Sequence, residues 1–236
     1  MSLSSMGWTW LRSRSDKKNK SMSIIENCIE FVKEKLQNAE AGHDWNHIYR
    51  VWQLSKIIAE GEEVDLEIVE LSALLHDIAD AKFHEGDEEI GPKIAVEYLT
   101  HQGLAQEKID HIYSIIRFMS FKGGHNEGKF YSKEFAIVQD ADRLDALGAI
   151  GIARTFNFGG FKNNPMFDPR IEPVLHQNVE EYKKNKGTTI NHFYEKLFLL
   201  KDKMNTEKAK LIAEERHNYM VDFVERFKSE WFVKKD

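Results

Sequence analysis

Three features of the 236-residue sequence predict an all-α fold. Breakers are scarce, with only 4 prolines in the chain. From Ser23 onward, apolar residues recur at the 3.6-residue period of amphipathic helices. No stretch alternates in the two-residue rhythm of a half-buried strand. With 42% hydrophobic and 31% charged residues, the chain reads as globular and long enough to bury a sizeable core.

The elements follow in order. Ser23 and Glu26 have capping-box spacing, and Ile24, Ile25, Cys28, Ile29, Val32 and Leu36 form one apolar stripe behind them. A second helix is expected from Asp44 to Glu60, stopped by Gly61. A third starts near Asp65 and carries "LEIVELSALLHDIAD", apolar nearly all round, which places it at the centre of a bundle. Helices over 87–101 and 106–119 come next, the latter ending before the glycine-rich "FKGGHNEG". "SKEFAIVQDADRLDALGAIGIARTF" (132–156) reads as one long helix whose small residues promise close packing. The next seventeen residues, "NFGGFKNNPMFDPRIEP", lack periodicity and hold three of the four prolines, as a functional loop does. Their aromatics read more readily as packing the loop down than as stacking a base. Helices over 173–186, 188–203 and 205–231 finish the chain. No repeat or linker interrupts residues 22–236, which read as a single-domain helical bundle.

Charge is uneven. Residues 1–20 carry Arg12, Arg14, Lys17, Lys18 and Lys20 against Asp16, a balance of +4, so the remainder of the −6 total is −10. Residues 1–21 are read as a basic arm outside the fold, either disordered or a targeting segment, with a second start possible at Met22. A body this acidic argues against nucleic acid as a partner. No run of about 18 apolar residues argues for a membrane span. The lone Cys28 fits a reducing, cytoplasmic setting, with organellar targeting by residues 1–20 left open.

Polar residues then appear where an apolar bundle would exclude them. His76 and Asp77 follow "LSALL" on the helix assigned to the centre. Asp140, Asp142 and Asp145 lie on another mostly apolar helix, where Asp142 and Asp145 share a face and Asp140 points elsewhere. Buried carboxylates on two core helices call for a common cation. In "GHDWNHIYRV", His43 and His47 stand four apart with an acid between, as in the H-E-x-x-H helix of zinc proteases. Either both histidines bind metal, or one does and the site is completed from far along the chain. Two imidazoles with two carboxylates suit a first-row divalent ion better than calcium, and one cysteine rules against a thiolate zinc site.

"HDWNHIYRV", "LLHDIAD" and "DADRLDALGA", in that order and spacing over roughly residues 40–150, resemble the H…HD…D signature of the HD-domain superfamily of metal-dependent phosphohydrolases. The resemblance implies a helical bundle of the HD type holding one divalent ion (Mn, Fe, Co, Ni, Mg or Zn) through His47, His76, Asp77 and Asp142. His43 and Asp44 would then brace the helix start. It further implies a proton acceptor three residues after the HD aspartate, here Asp80, with Asp145 as the rival. Arg50 matches an arginine of close relatives and would meet substrate phosphate, aided by Lys122 with the Gly123–Gly124 amides and by Arg143. Asp80 is equally an ordinary helix-end acid, Lys122 a solvated loop lysine, and Arg50 an ion-pair partner.

The resulting expectation is a phosphohydrolase for a nucleotide or another small phosphorylated metabolite, cleaving a phosphate ester or a phosphoanhydride through metal-activated water. The alternative is a non-catalytic nucleotide-binding or regulatory module with a structural metal. The apolar C-terminal helices, "FYEKLFLL" and "YMVDFVERF", suit a homodimer.

Overall fold

Capping side chains start five of the nine α-helices found among the described residues of the computed structural model, which are 22–37, 44–79, 87, 89–119, 128–174 and 187–233. Helix α1 spans Ile24–Lys35, with the full capping box between Ser23 and Glu26. Helix α2 (Trp45–Ala59) is capped by Asp44, and α3 (Leu66–Leu75) by Asp65. Helices α4 (Ile90–His101) and α5 (Gln106–Met119) follow. Helix α6 (Lys133–Asp145) starts at Ser132, and α7 covers Gly148–Phe161. The short α8 (Asn191–Glu195) leads through two 3₁₀ turns to α9 (Glu207–Trp231), capped by Thr206. Each such side chain satisfies backbone N–H groups that the first helical turn leaves without partners.

Helix α3 is central. It packs against α1, α2, α5 and α6, while α2 also lies along α6. Leu71, Leu74 and Leu75 of α3 are fully buried, each stabilising the fold by roughly 1.5–3 kcal/mol. Helix α9 covers α6 and α7. Its start is fixed by Asp140, whose fully buried carboxylate accepts from the Asn205 and Thr206 backbone N–H groups at 2.8–3.0 Å and from the Thr206 hydroxyl at 2.9 Å. Asp140 thus points elsewhere than its neighbours on α6. Among the described residues, no helix is long and apolar enough to cross a membrane.

Four features depart from expectation. Helix α3 stops at Leu75, so His76 is its C-cap and Asp77 lies in the turn beyond. The expected helix over 132–156 is broken after Asp145, because Gly148 takes a φ of +71° and the chain turns back. A Cβ on Gly151 would stand 2.2 Å from the Ala146 carbonyl oxygen, so the reversal needs glycine there. The stretch 188–203 is one helical turn and two 3₁₀ turns instead of a helix. Helix α7 also runs on to Phe161, leaving the loop to begin at Lys162. Phe167 of that loop packs against Phe227 and Trp231, as expected of a residue holding the loop down, whereas Phe158 and Phe161 are exposed beside Lys162. The N-terminal arm and most of the helix expected over 173–186 lie outside the described residues.

Candidate metal centre

His47 stands in the first turn of α2, where the Asp44 cap accepts from its backbone N–H at 3.0 Å and sets its position. Its buried ring places Nδ1 2.8 Å from Asp145 Oδ2. The carboxylate only accepts, so Nδ1 carries the proton and Nε2 presents a lone pair. His76 is arranged in the same sense, with Nδ1 donating to the Ala73 carbonyl at 2.8 Å. The two Nε2 atoms stand 3.3 Å apart, and Asp142 Oδ1 lies 3.5 Å from that of His47 and 3.8 Å from that of His76.

Two lone pairs and a carboxylate in this triangle repel one another unless a cation lies among them. The point equidistant from the three atoms is about 2 Å from each, the length of a first-row metal–ligand bond (~2.0–2.2 Å). Donor chemistry and spacing therefore fit a divalent ion. Among the described residues, these three form the group whose ligand atoms all lie within 4.8 Å of one another. Asp77, half-buried in the turn after His76, is not in that group. Asp142 keeps 39% of its side-chain surface exposed, so the centre opens to solvent on that side.

Behind the triangle, Asp145 is a hub. Besides His47 it accepts from Arg50 Nε at 2.6 Å, Arg50 Nη2 at 3.1 Å and Arg154 Nη1 at 2.5 Å. Burial by itself would raise its pKa, but the hydrogen bonds from His47 and Arg50 and the nearby charge of Arg154 hold it well below the usual carboxylate range. A carboxylate so stabilised in its charged form is a poor proton acceptor at neutral pH. Asp145, the rival proton acceptor, is thus engaged by His47, Arg50 and Arg154, and its bond to Nδ1 favours the His47 tautomer that presents Nε2. The cation balancing it is guanidinium, not the metal.

Arg50 is likewise turned onto Asp145, which raises its own pKa chiefly through that hydrogen bond. This is the ion-pair partnership weighed for it from the sequence. Arg143 donates to the Lys203 carbonyl ahead of α9. His43, Asp80 and Lys122 with Gly123–Gly124 lie outside the described residues.

Arg154 was not foreseen. In a continuous helix, residues 145 and 154 would sit about 13 Å apart along the axis; the break before Gly148 brings them into contact. A signal was present, since Arg154 is the only charged residue between Asp145 and Lys162. Arg216 of α9, which donates to the Leu144 carbonyl at 2.6 Å, was also missed.

Comparison with known proteins agrees with this geometry. The family model for the HD domain matches residues 44–147, which contain the whole triangle. YpgQ, an uncharacterized protein of Bacillus subtilis (strain 168), is 36% identical over 215 residues, covering 89% of this chain and 95% of YpgQ. The chain belongs to the HD-domain superfamily. Solved structures resemble it over most of its length. An HD-superfamily hydrolase of Bacillus thuringiensis superposes with a TM-score of 0.70 at 43% identity, covering 89% of this chain and 97% of that one. A Lactobacillus plantarum protein gives a TM-score of 0.75 at 37% identity, over 89% and 97% of the two chains. The crystal structure of YpgQ in complex with ADP gives 0.66 at 32% identity, over 87% and 97%. Within this HD chain, α2 supplies His47, the end of α3 supplies His76 and α6 supplies Asp142.

Proposed function

We propose that this HD-superfamily protein is a divalent-metal-dependent phosphohydrolase of a nucleotide or similarly small phosphorylated metabolite. The observation that carries the reading is the convergence of two imidazole lone pairs and one carboxylate on a cation-sized gap with an open side. The occurrence of ADP in the crystal structure of YpgQ supports a nucleotide.

In this reading His47, His76 and Asp142 hold the ion, with Asp77 as the fourth ligand. A bound divalent ion supplies charge withdrawal from a phosphate oxygen and a lowered pKa for water. Asp145 orients His47 and is itself neutralised by Arg50 and Arg154, so His47 keeps the tautomer that presents Nε2. Asp80, three residues beyond Asp77, takes the proton of the attacking water, and Lys122 with the adjacent glycine amides assists the phosphate. Asp142, on the open side, marks where the substrate enters.

The test is release of phosphate and pyrophosphate from a panel of nucleoside mono-, di- and triphosphates. It is run on chelator-treated protein resupplied with Mn²⁺, Co²⁺, Ni²⁺, Mg²⁺ or Zn²⁺. Turnover is expected with at least one pairing, and at least 100-fold less of it in His47→Ala and His76→Ala. Product from none of them despite a bound ion would move the assignment to a non-catalytic nucleotide-binding module.

A further inference from the structure

Asp145 Oδ2 is a crowded oxygen. It accepts from His47 Nδ1 at 2.8 Å, from Arg50 Nη2 at 3.1 Å and from Arg154 Nη1 at 2.5 Å, while Oδ1 accepts from Arg50 Nε at 2.6 Å. A carboxylate oxygen offers lone pairs for about two donors, so three donors on Oδ2 weaken one another. The shortest of the three bonds comes from a guanidinium, and a charge-assisted donor outcompetes a neutral one. Arg154 therefore contends with the imidazole for the oxygen that orients it.

The two arginines differ in attachment. Arg50 stands on α2 one turn after His47 and meets both carboxylate oxygens as a fork, which balances the charge of Asp145. Arg154 comes from α7, delivered by the reversal at Gly148, and its Nη1 also lies 3.4 Å from the Asp145 backbone carbonyl oxygen. It brings a second positive charge to a carboxylate already matched by one. Arg216, whose stem lies against Gly148, is directed at the Leu144 carbonyl instead.

The effect of that second charge follows from how a carboxylate acts through a histidine. A carboxylate on Nδ1–H draws the proton toward itself and makes Nε2 a stronger donor. A stronger donor holds a cation more tightly but satisfies more of its electron demand, which is what polarises a phosphate and acidifies water. Arg154 opposes the first step by drawing the charge of Oδ2 away from Nδ1–H. His76 reaches the same condition by another route, since its Nδ1–H is donated to a neutral acceptor, the Ala73 carbonyl, at 2.8 Å. With Arg154 in place the two imidazoles match. Each is fixed in one tautomer, and neither is driven toward imidazolate.

We propose that Arg154 is a positioning residue of the metal centre: it restrains the Asp145–His47 pair, so that His47 is aimed by the carboxylate yet remains a neutral, moderate donor. A centre built this way binds its ion less tightly than the ligand set allows and keeps it more electrophilic. The proposal rests on the divalent-metal reading of the triangle and adds to it the residue that moderates the ligand field.

Titration of chelator-treated protein with Mn²⁺ tests it, because a moderating charge and a structural brace predict opposite signs. Arg154→Gln removes the charge while Arg50 still pairs with Asp145, and it is expected to bind Mn²⁺ about 3–10-fold more tightly than the parent. Arg154→Lys keeps the charge, and Arg226→Gln removes one from an exposed pair with Glu230 on α9; both should stay within about twofold of the parent. In zinc-loaded protein, the His47 Nδ1–H proton resonance should move downfield in Arg154→Gln as its bond to Asp145 strengthens. Unchanged or weaker Mn²⁺ affinity in folded Arg154→Gln overturns the proposal and leaves the metal centre standing, as does an Nδ1–H resonance that stays in place. Equal tightening in Arg226→Gln also overturns it, since that pattern belongs to net charge. A parent that binds no Mn²⁺ overturns the metal reading and the proposal with it. Circular dichroism establishes that each variant is folded, and Arg154→Met, which keeps the stem packing, carries the same expectation should Arg154→Gln fail to fold.

Discussion

A single carboxylate decides which nitrogen of His47 faces the metal position. Asp145 accepts a hydrogen bond from His47 Nδ1 and balances two guanidiniums that are each only 30% exposed. Asp145→Asn keeps the shape but removes the charge, leaving Arg50 and Arg154 without their counter-ion. Breaking such a pair costs about 3–5 kcal/mol when fully buried, and roughly 2–4 kcal/mol is expected here because solvent reaches the guanidiniums. Mn²⁺ affinity should fall about 10–100-fold as His47 loses its orientation. Thermal melting and metal titration measure the two effects, and undiminished Mn²⁺ affinity would contradict the positioning role. The carboxyl is held below its ordinary pKa, so its contribution is fully present at neutral pH and is lost as the pH falls below about 4. At this scale the sequence made His47, His76 and Asp142 legible, because the order and spacing of the motifs survive in one dimension. The partners of Asp145 were not legible. Spacing shows that Asp142 and Asp145 share a helix face, but which cations meet that face depends on chain reversals far along the polymer.

The reversal between α6 and α7 explains the misreading at the scale of elements. Apolar periodicity runs almost unbroken through "DALGAIGIARTF", and periodicity does not register a backbone that turns through positive φ at Gly148. The glycines themselves were visible, but they were read as packing residues. Two of them separate the readings experimentally. At Gly151 an added methyl would strike a backbone carbonyl that cannot move aside, whereas at Gly160 nothing lies within 4 Å. Gly151→Ala is expected to destabilise by about 3 kcal/mol or more. Gly160→Ala should be neutral or stabilising by roughly 0.5–1 kcal/mol, as for a helix interior. Denaturant unfolding of the two variants measures this, and equal, small effects would show that the close approach at Ala146 is not required. Capped starts such as Ser23, Asp44 and Asp65 were legible because a cap is a local interaction between near neighbours.

In the whole molecule, α3 sits between α1, α2, α5 and α6, and that burial brings together residues separated by about a hundred positions. The hydrophobic core supplies the position, and the triangle of His47, His76 and Asp142 supplies a donor set that suits a divalent cation. The most direct test is metal titration of chelator-treated protein, with elemental analysis of the product. One Mn²⁺ per chain is expected, with affinity reduced more than 100-fold in His47→Ala, His76→Ala and Asp142→Ala but retained in His43→Ala. Absence of bound metal in the parent, or equal loss from His43→Ala and His47→Ala, would contradict the assignment of these three side chains as the metal centre.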